Sequence, residues 1–73
     1  MLRVMWRLEV FVAEGGETSL TVSSLLPADY ALIIVSYNGV ERVPNVHFTS
    51  SGATISLNWV LNPGDIVTVR YAA

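Results

Sequence analysis

At 73 residues, with no cysteine and His47 as the only histidine, the chain has room for one hydrophobic core but no disulfide to staple it and no ligand cluster for a structural metal. A net charge of −2, carried against four scattered arginines and no lysine, excludes a basic face for nucleic acid. No apolar run approaches the roughly eighteen residues of a membrane helix, so membrane insertion is not expected.

The first element is legible as alternation. Over residues 3–13, Val4, Trp6, Leu8, Val10 and Val12 share one face, and Arg3, Arg7 and Glu9 share the other with Met5 and Phe11. That pattern predicts a half-buried strand, long for so small a domain, which either bends or extends past its own sheet. Its early charges also interrupt the apolar stretch that a signal peptide needs, so Sec-type export is not expected. Glu14-Gly15-Gly16-Glu17 predicts a turn, and 18–22 a short strand with Leu20 and Val22 on one face. Residues 23–30 have no clean period and contain Pro27, which predicts a connection across one end of the fold.

Residues 31–37 are apolar on both faces and predict a central strand covered above and below. Asn38-Gly39 follows at once, the dipeptide that a two-residue hairpin with positive φ at both central positions selects. A return strand over 40–43 ends at Pro44-Asn45, and 46–49 reads as a short extended piece before a turn at Ser50-Ser51-Gly52. Over 53–59, Ile55, Leu57 and Trp59 alternate with Thr54, Ser56 and Asn58. Pro63 and Gly64 stand where a type II turn places them, and Asp65 is expected to bond backbone N–H groups in that turn. The last strand sets Val67, Val69 and Tyr71 against Ile66, Thr68 and Arg70. About six short strands without a helical period predict an all-β domain over 1–73, a small antiparallel β-sandwich or open barrel. Leu32, Ile34, Ile55, Leu57, Val67 and Val69 are its expected core.

Hydrophobic residues make up 52% of the chain and charged residues 14%, with a mean hydropathy of +0.51. A globule of this size cannot hide that much apolar surface behind ten charged side chains. With disulfides and metal excluded, burial against other chains is the remaining source of stability, so a homo-oligomer is expected. Residues 1–10 are the expected assembly or attachment strand, with Val4, Trp6, Leu8 and Val10 at the interface.

The order of motifs is also suggestive. Leu32-Ile33-Ile34-Val35-Ser36-Tyr37-Asn38-Gly39-Val40, then Phe48-Thr49-Ser50-Ser51-Gly52-Ala53-Thr54-Ile55-Ser56-Leu57, then Leu61-Asn62-Pro63-Gly64-Asp65-Ile66-Val67-Thr68-Val69-Arg70-Tyr71, resembles a small β-module of bacteriophage tail fibres and other virion structural proteins. The upstream Gly15-Gly16 turn and its short strand are similar to that module's usual start. His47-Phe48 departs from the module's acidic-aromatic pair, and Leu2 to Val10 falls outside it. The resemblance implies a non-enzymatic virion component, in a tail fibre, tail appendage or capsid decoration, commonly in a three-fold assembly with other virion proteins.

Catalytic chemistry finds little support. His47 has no assignable nucleophile or orienting acid and reads as a polar residue beside a turn. No two of Asp29, Asp65 and the four glutamates align for acid–base work. No enzyme activity, cofactor or metal is therefore expected. Trp6 and Trp59 alternate with aliphatic residues and read as core or subunit interface. The alternative is a carbohydrate- or receptor-binding module that meets a host glycan through turn residues around Asn45, His47 and Ser51.

Overall fold

The computed structural model describes residues 5–72, so Val4 lies outside the described residues. It is all-β apart from one short turn of 3-10 helix. The strands are β1 (Trp6–Val12), β2 (Ser19–Thr21), β3 (Ile33–Tyr37), β4 (Val40–Arg42), β5 (Phe48–Ser51), β6 (Thr54–Leu57) and β7 (Ile66–Ala72). They form two antiparallel sheets, one of four strands in the order β1-β7-β3-β4 and one of three in the order β2-β6-β5. The sheets do not close into a barrel, so of the two architectures that the sequence allows, the sandwich is the one formed.

The last strand is central to the larger sheet. β7 pairs along its whole length with β1, from Trp6 opposite Ala72 to Val12 opposite Ile66, and on its other side with β3, from Ile33 opposite Tyr71 to Tyr37 opposite Val67. Val67, Val69 and Tyr71 therefore point inward together and are fully buried. Ile33 and Val35 join them from β3, and Leu20, Ile55, Leu57 and Phe48 face them from the smaller sheet. Two sheets with alternating inward residues can bury one core between them, and this is that core.

Four of the six expected core residues, Ile55, Leu57, Val67 and Val69, are buried. Leu32 and Ile34 are not, and each is only half-buried. Tyr30–Leu32 forms one turn of 3-10 helix, capped by the Asp29 carboxylate accepting from Ala31 N–H at 2.9 Å. The strand consequently starts two residues later than its apolar run, and Ile33 and Val35 take the inward positions. Ile34 falls on the outer face, where no second layer of the described residues covers it, which corrects the expectation that this strand is buried on both sides.

The turns hold these strands by local chemistry. Asn38 and Gly39 take φ of 48° and 88°, the left-handed pair that a two-residue hairpin between β3 and β4 requires. Gly52 begins the equally tight β5–β6 hairpin, so that turn falls at Gly52-Ala53, and β5 occupies Ser50 and Ser51. Val46 and His47 lie in a turn instead of an extended piece, and β5 begins at Phe48. Gly15 lies so close to the 62–65 turn that a Cβ there would stand 2.8 Å from Pro63 Cγ, at a φ of 116°. Only glycine fits both the contact and the backbone.

Core truncation gives a direct check. Ile55→Ala is expected to lower unfolding free energy by about 2–5 kcal/mol in urea titration. Exposed Val40→Ala should change it by about 0.5 kcal/mol or less.

Candidate functional site: the outer face of the four-stranded sheet

The parity of β1 decides what the molecule shows to its surroundings. Glu9 points inward, where its carboxylate accepts from Ser23 N–H at 3.0 and 3.2 Å, from Ser23 Oγ at 3.0 Å and from the Tyr71 hydroxyl. Phe11, on the same face, packs against the core. Residues of opposite parity must then point outward. Trp6, Leu8, Val10 and Val12 are 47, 56, 58 and 65% exposed.

The pairing registers extend this face across the sheet. Ala72, Arg70, Thr68 and Ile66 of β7 stand opposite the four outward residues of β1, and Ile34 and Ser36 of β3 stand opposite Arg70 and Thr68. Ile66 is exposed as well, so the face is a band of apolar side chains with Arg70 near its middle and Glu41 at its β4 edge. Trp6, Ile34 and Arg70 line a shallow depression of about 450 Å³ in it. An exposed apolar surface of this kind marks an interaction site more often than a solvent face.

Of the expected interface residues, Trp6, Leu8 and Val10 thus lie side by side on one exposed surface. Trp6 is not core; the described part of the chain leaves it open. Trp59 differs, packing partly buried against the core, edge-on to Tyr37 with ring centroids 5.3 Å apart. Arg42 closes that cluster, with its guanidinium 5.4 Å from the Tyr37 ring and 5.7 Å from the Trp59 ring. Arg42 Nε and Trp59 Nε1 are buried there without a conventional acceptor. The aromatic faces beside them are the electron-rich surfaces to hand. Nothing in the local sequence around Arg42 signals this contact, because Tyr37 and Trp59 come to it through the fold.

The expected structural turn residues converge at one end. Asp65 accepts from Asn62 N–H at 2.8 Å, as its place in the Pro63-Gly64 turn suggests, and also from the Tyr37 hydroxyl at 2.7 Å and Asn38 Nδ2 at 3.3 Å. Asn38 Oδ1 in return accepts from Ile66 N–H at 2.8 Å. One carboxylate therefore ties the Asn38-Gly39 hairpin to the turn before β7.

His47 serves its own turn. Its Nδ1 accepts from Val43 N–H at 3.0 Å, and Asn45 has a φ of 64° within the same turn. A recess of about 160 Å³ beside it is lined in part by Asn45, Phe48 and Asn58. Ser51 lies at the far end of β5, so the three residues considered for glycan contact do not form one site. Among the described residues, no three His, Asp or Glu side chains are grouped as a metal would need, and no helix is long and apolar enough to cross a membrane. Compared with family models, curated proteins and solved structures, the chain matches none.

The two tyrosine-bound carboxylates give a pH dependence. The Tyr71 hydroxyl, with help from Ser23, holds the Glu9 carboxyl below its ordinary value of 4.5, and the Tyr37 hydroxyl with Asn62 N–H holds Asp65 below its ordinary 3.8. Groups lowered on folding contribute stability that is complete above their ordinary values and is lost as pH falls through the lowered ones. Glu9→Gln is expected to reduce the urea midpoint at pH 7 and to flatten its decline between pH 5 and 2. An equal acid-induced decline in wild type and variant would remove Glu9 from that role.

Proposed function

We propose that this chain is a self-associating structural β-module, a virion part such as a tail-fibre, tail-appendage or capsid-decoration component, and that the outer face of its four-stranded sheet is the assembly surface. The observation that carries the reading is the exposure of Trp6, Leu8, Val10, Val12 and Ile66 on one continuous face. An alternating strand normally turns its more apolar side to the core. Here that side is turned out, so a partner surface supplies the burial that the chain's own second sheet does not.

Two further features support the reading. The order of apolar strand, Asn38-Gly39 hairpin, Gly52 turn and Pro63-Gly64-Asp65 turn resembles that of the phage β-module, and tight turns form at each of these positions. Three carboxylates are also engaged in holding the fold: Glu9 and Asp65 each bind a tyrosine, and the Glu17 carboxylate accepts from Glu14 and Gly15 N–H at 2.9 and 2.8 Å. Side chains so engaged build shape, and surface geometry is what an assembly component contributes.

The mass of the chain in solution tests this. The wild type is expected to sediment as an oligomer at micromolar concentration, and Trp6→Ser combined with Val10→Ser to shift it to monomer with an unchanged β circular dichroism spectrum, because neither side chain belongs to the core. A wild-type monomer at that concentration defeats the proposal.

A further inference from the structure

Self-association needs a geometry, and the free edge of β1 offers one. Resting on the proposal above, we infer that two copies pair antiparallel along β1 about a two-fold axis at Leu8, which joins their four-stranded sheets into one.

β1 is the only long free edge among the described residues. It pairs with β7 on one side only and runs seven residues in unbroken register, whereas the other edge strands β2, β4 and β5 have three, three and four residues. Of the usual guards of an exposed edge it lacks proline, lysine and a bulge. Its inward face does carry charge, Arg7 and Glu9, and these select the partner.

In a two-fold continuation of a sheet, residues directly opposite one another share a face, so odd positions meet odd and even meet even. An axis at Arg7 sets Arg7 against its own copy, and an axis at Glu9 does the same for Glu9. The axis at Leu8 sets Arg7 opposite Glu9 of the second copy, twice by symmetry. The same register puts Met5 opposite Phe11 and Trp6 opposite Val10 of the second copy, with Leu8 opposite itself. Among the described residues, it is the one centre on this strand that makes every charge meet its opposite and every apolar side chain meet another. A strand without the complementary charges would leave Arg7 and Glu9 facing apolar groups, so the pair that guards the edge against other chains admits a second copy of this one.

Such pairing leaves Val12, Ile66 and Ile34 of both copies on a single apolar face twice as wide, available to the larger particle. It also implies an even number of chains, in contrast to the three-fold arrangement that the sequence resemblance carries.

Cysteine placement tests the register, since the chain has no cysteine of its own. Leu8→Cys puts two thiols directly across the axis, about 5 Å apart at Cβ, within reach of mild oxidation or a short bis-maleimide. Val12→Cys, on the same face, puts them about 27 Å apart along the strands at roughly 3.4 Å per residue. The expected result is a covalent dimer from the first variant and none from the second. As a second check, Arg7→Glu should raise the dissociation constant about tenfold, because two attractive cross-strand pairs become repulsive. An oligomer that is trimeric, or in which position 12 couples as well as position 8, overturns this register and leaves self-association standing. A wild-type chain that is monomeric at micromolar concentration overturns both.

Discussion

Glu9 sets the character of the molecule. A carboxylate on the inner face of an edge strand has to be satisfied, and here the Tyr71 hydroxyl and the backbone and side chain of Ser23 do so. Once Glu9 points in, strand geometry leaves no freedom for its neighbours. Leu8 and Val10 point out, and with them Trp6 and Val12. A one-residue slip would bury four large apolar side chains and expose Glu9 and Phe11, a better bargain for β1 considered alone. The slip would also break the register with β7, where Tyr71 is both buried side chain and hydrogen-bond donor.

The other end of the larger sheet follows the same logic. Tyr37 donates to Asp65 as Tyr71 donates to Glu9, so each end of β7 has a tyrosine and a carboxylate closing it. Both hydroxyls are consequently harder to ionise than a free tyrosine, chiefly through the Asp65 hydrogen bond for Tyr37 and through burial for Tyr71. Between these two clamps lie the aliphatic residues that form the core. A domain without disulfides has in this way replaced covalent staples by polar contacts between distant parts of the chain.

These distances explain which features the sequence makes legible. Asn38-Gly39 and Pro63-Gly64-Asp65 are read correctly because turn chemistry is local, and Gly52 is read as a turn residue although the turn runs on to Ala53 and leaves Ser50 and Ser51 in β5. The inward residues of β6 and β7 are also legible, since their apolar and polar residues alternate cleanly. β3 is not, because Ile33, Ile34 and Val35 are equally apolar and periodicity cannot choose between the two phases. The signal that resolves it is Asp29 as the cap of a 3-10 turn, which delays the strand start. For β1, alternation groups Trp6, Leu8 and Val10 correctly as one surface, but the opposite face mixes Arg7 and Glu9 with Met5 and Phe11, so the pattern does not say which face turns inward. Ser23 lies 14 residues from Glu9 and Tyr71 lies 62 away, so no local pattern reveals that the charge turns inward.

The contrast between the two tryptophans has a practical consequence. Trp6 stands on the open sheet face, while Trp59 is wedged between Tyr37 and the Arg42 guanidinium against the core. One indole therefore reports what touches the outside of the molecule, and the other reports whether its interior is intact. With either one replaced by phenylalanine, intrinsic fluorescence separates contact at the sheet face from unfolding in a chain that needs no added dye.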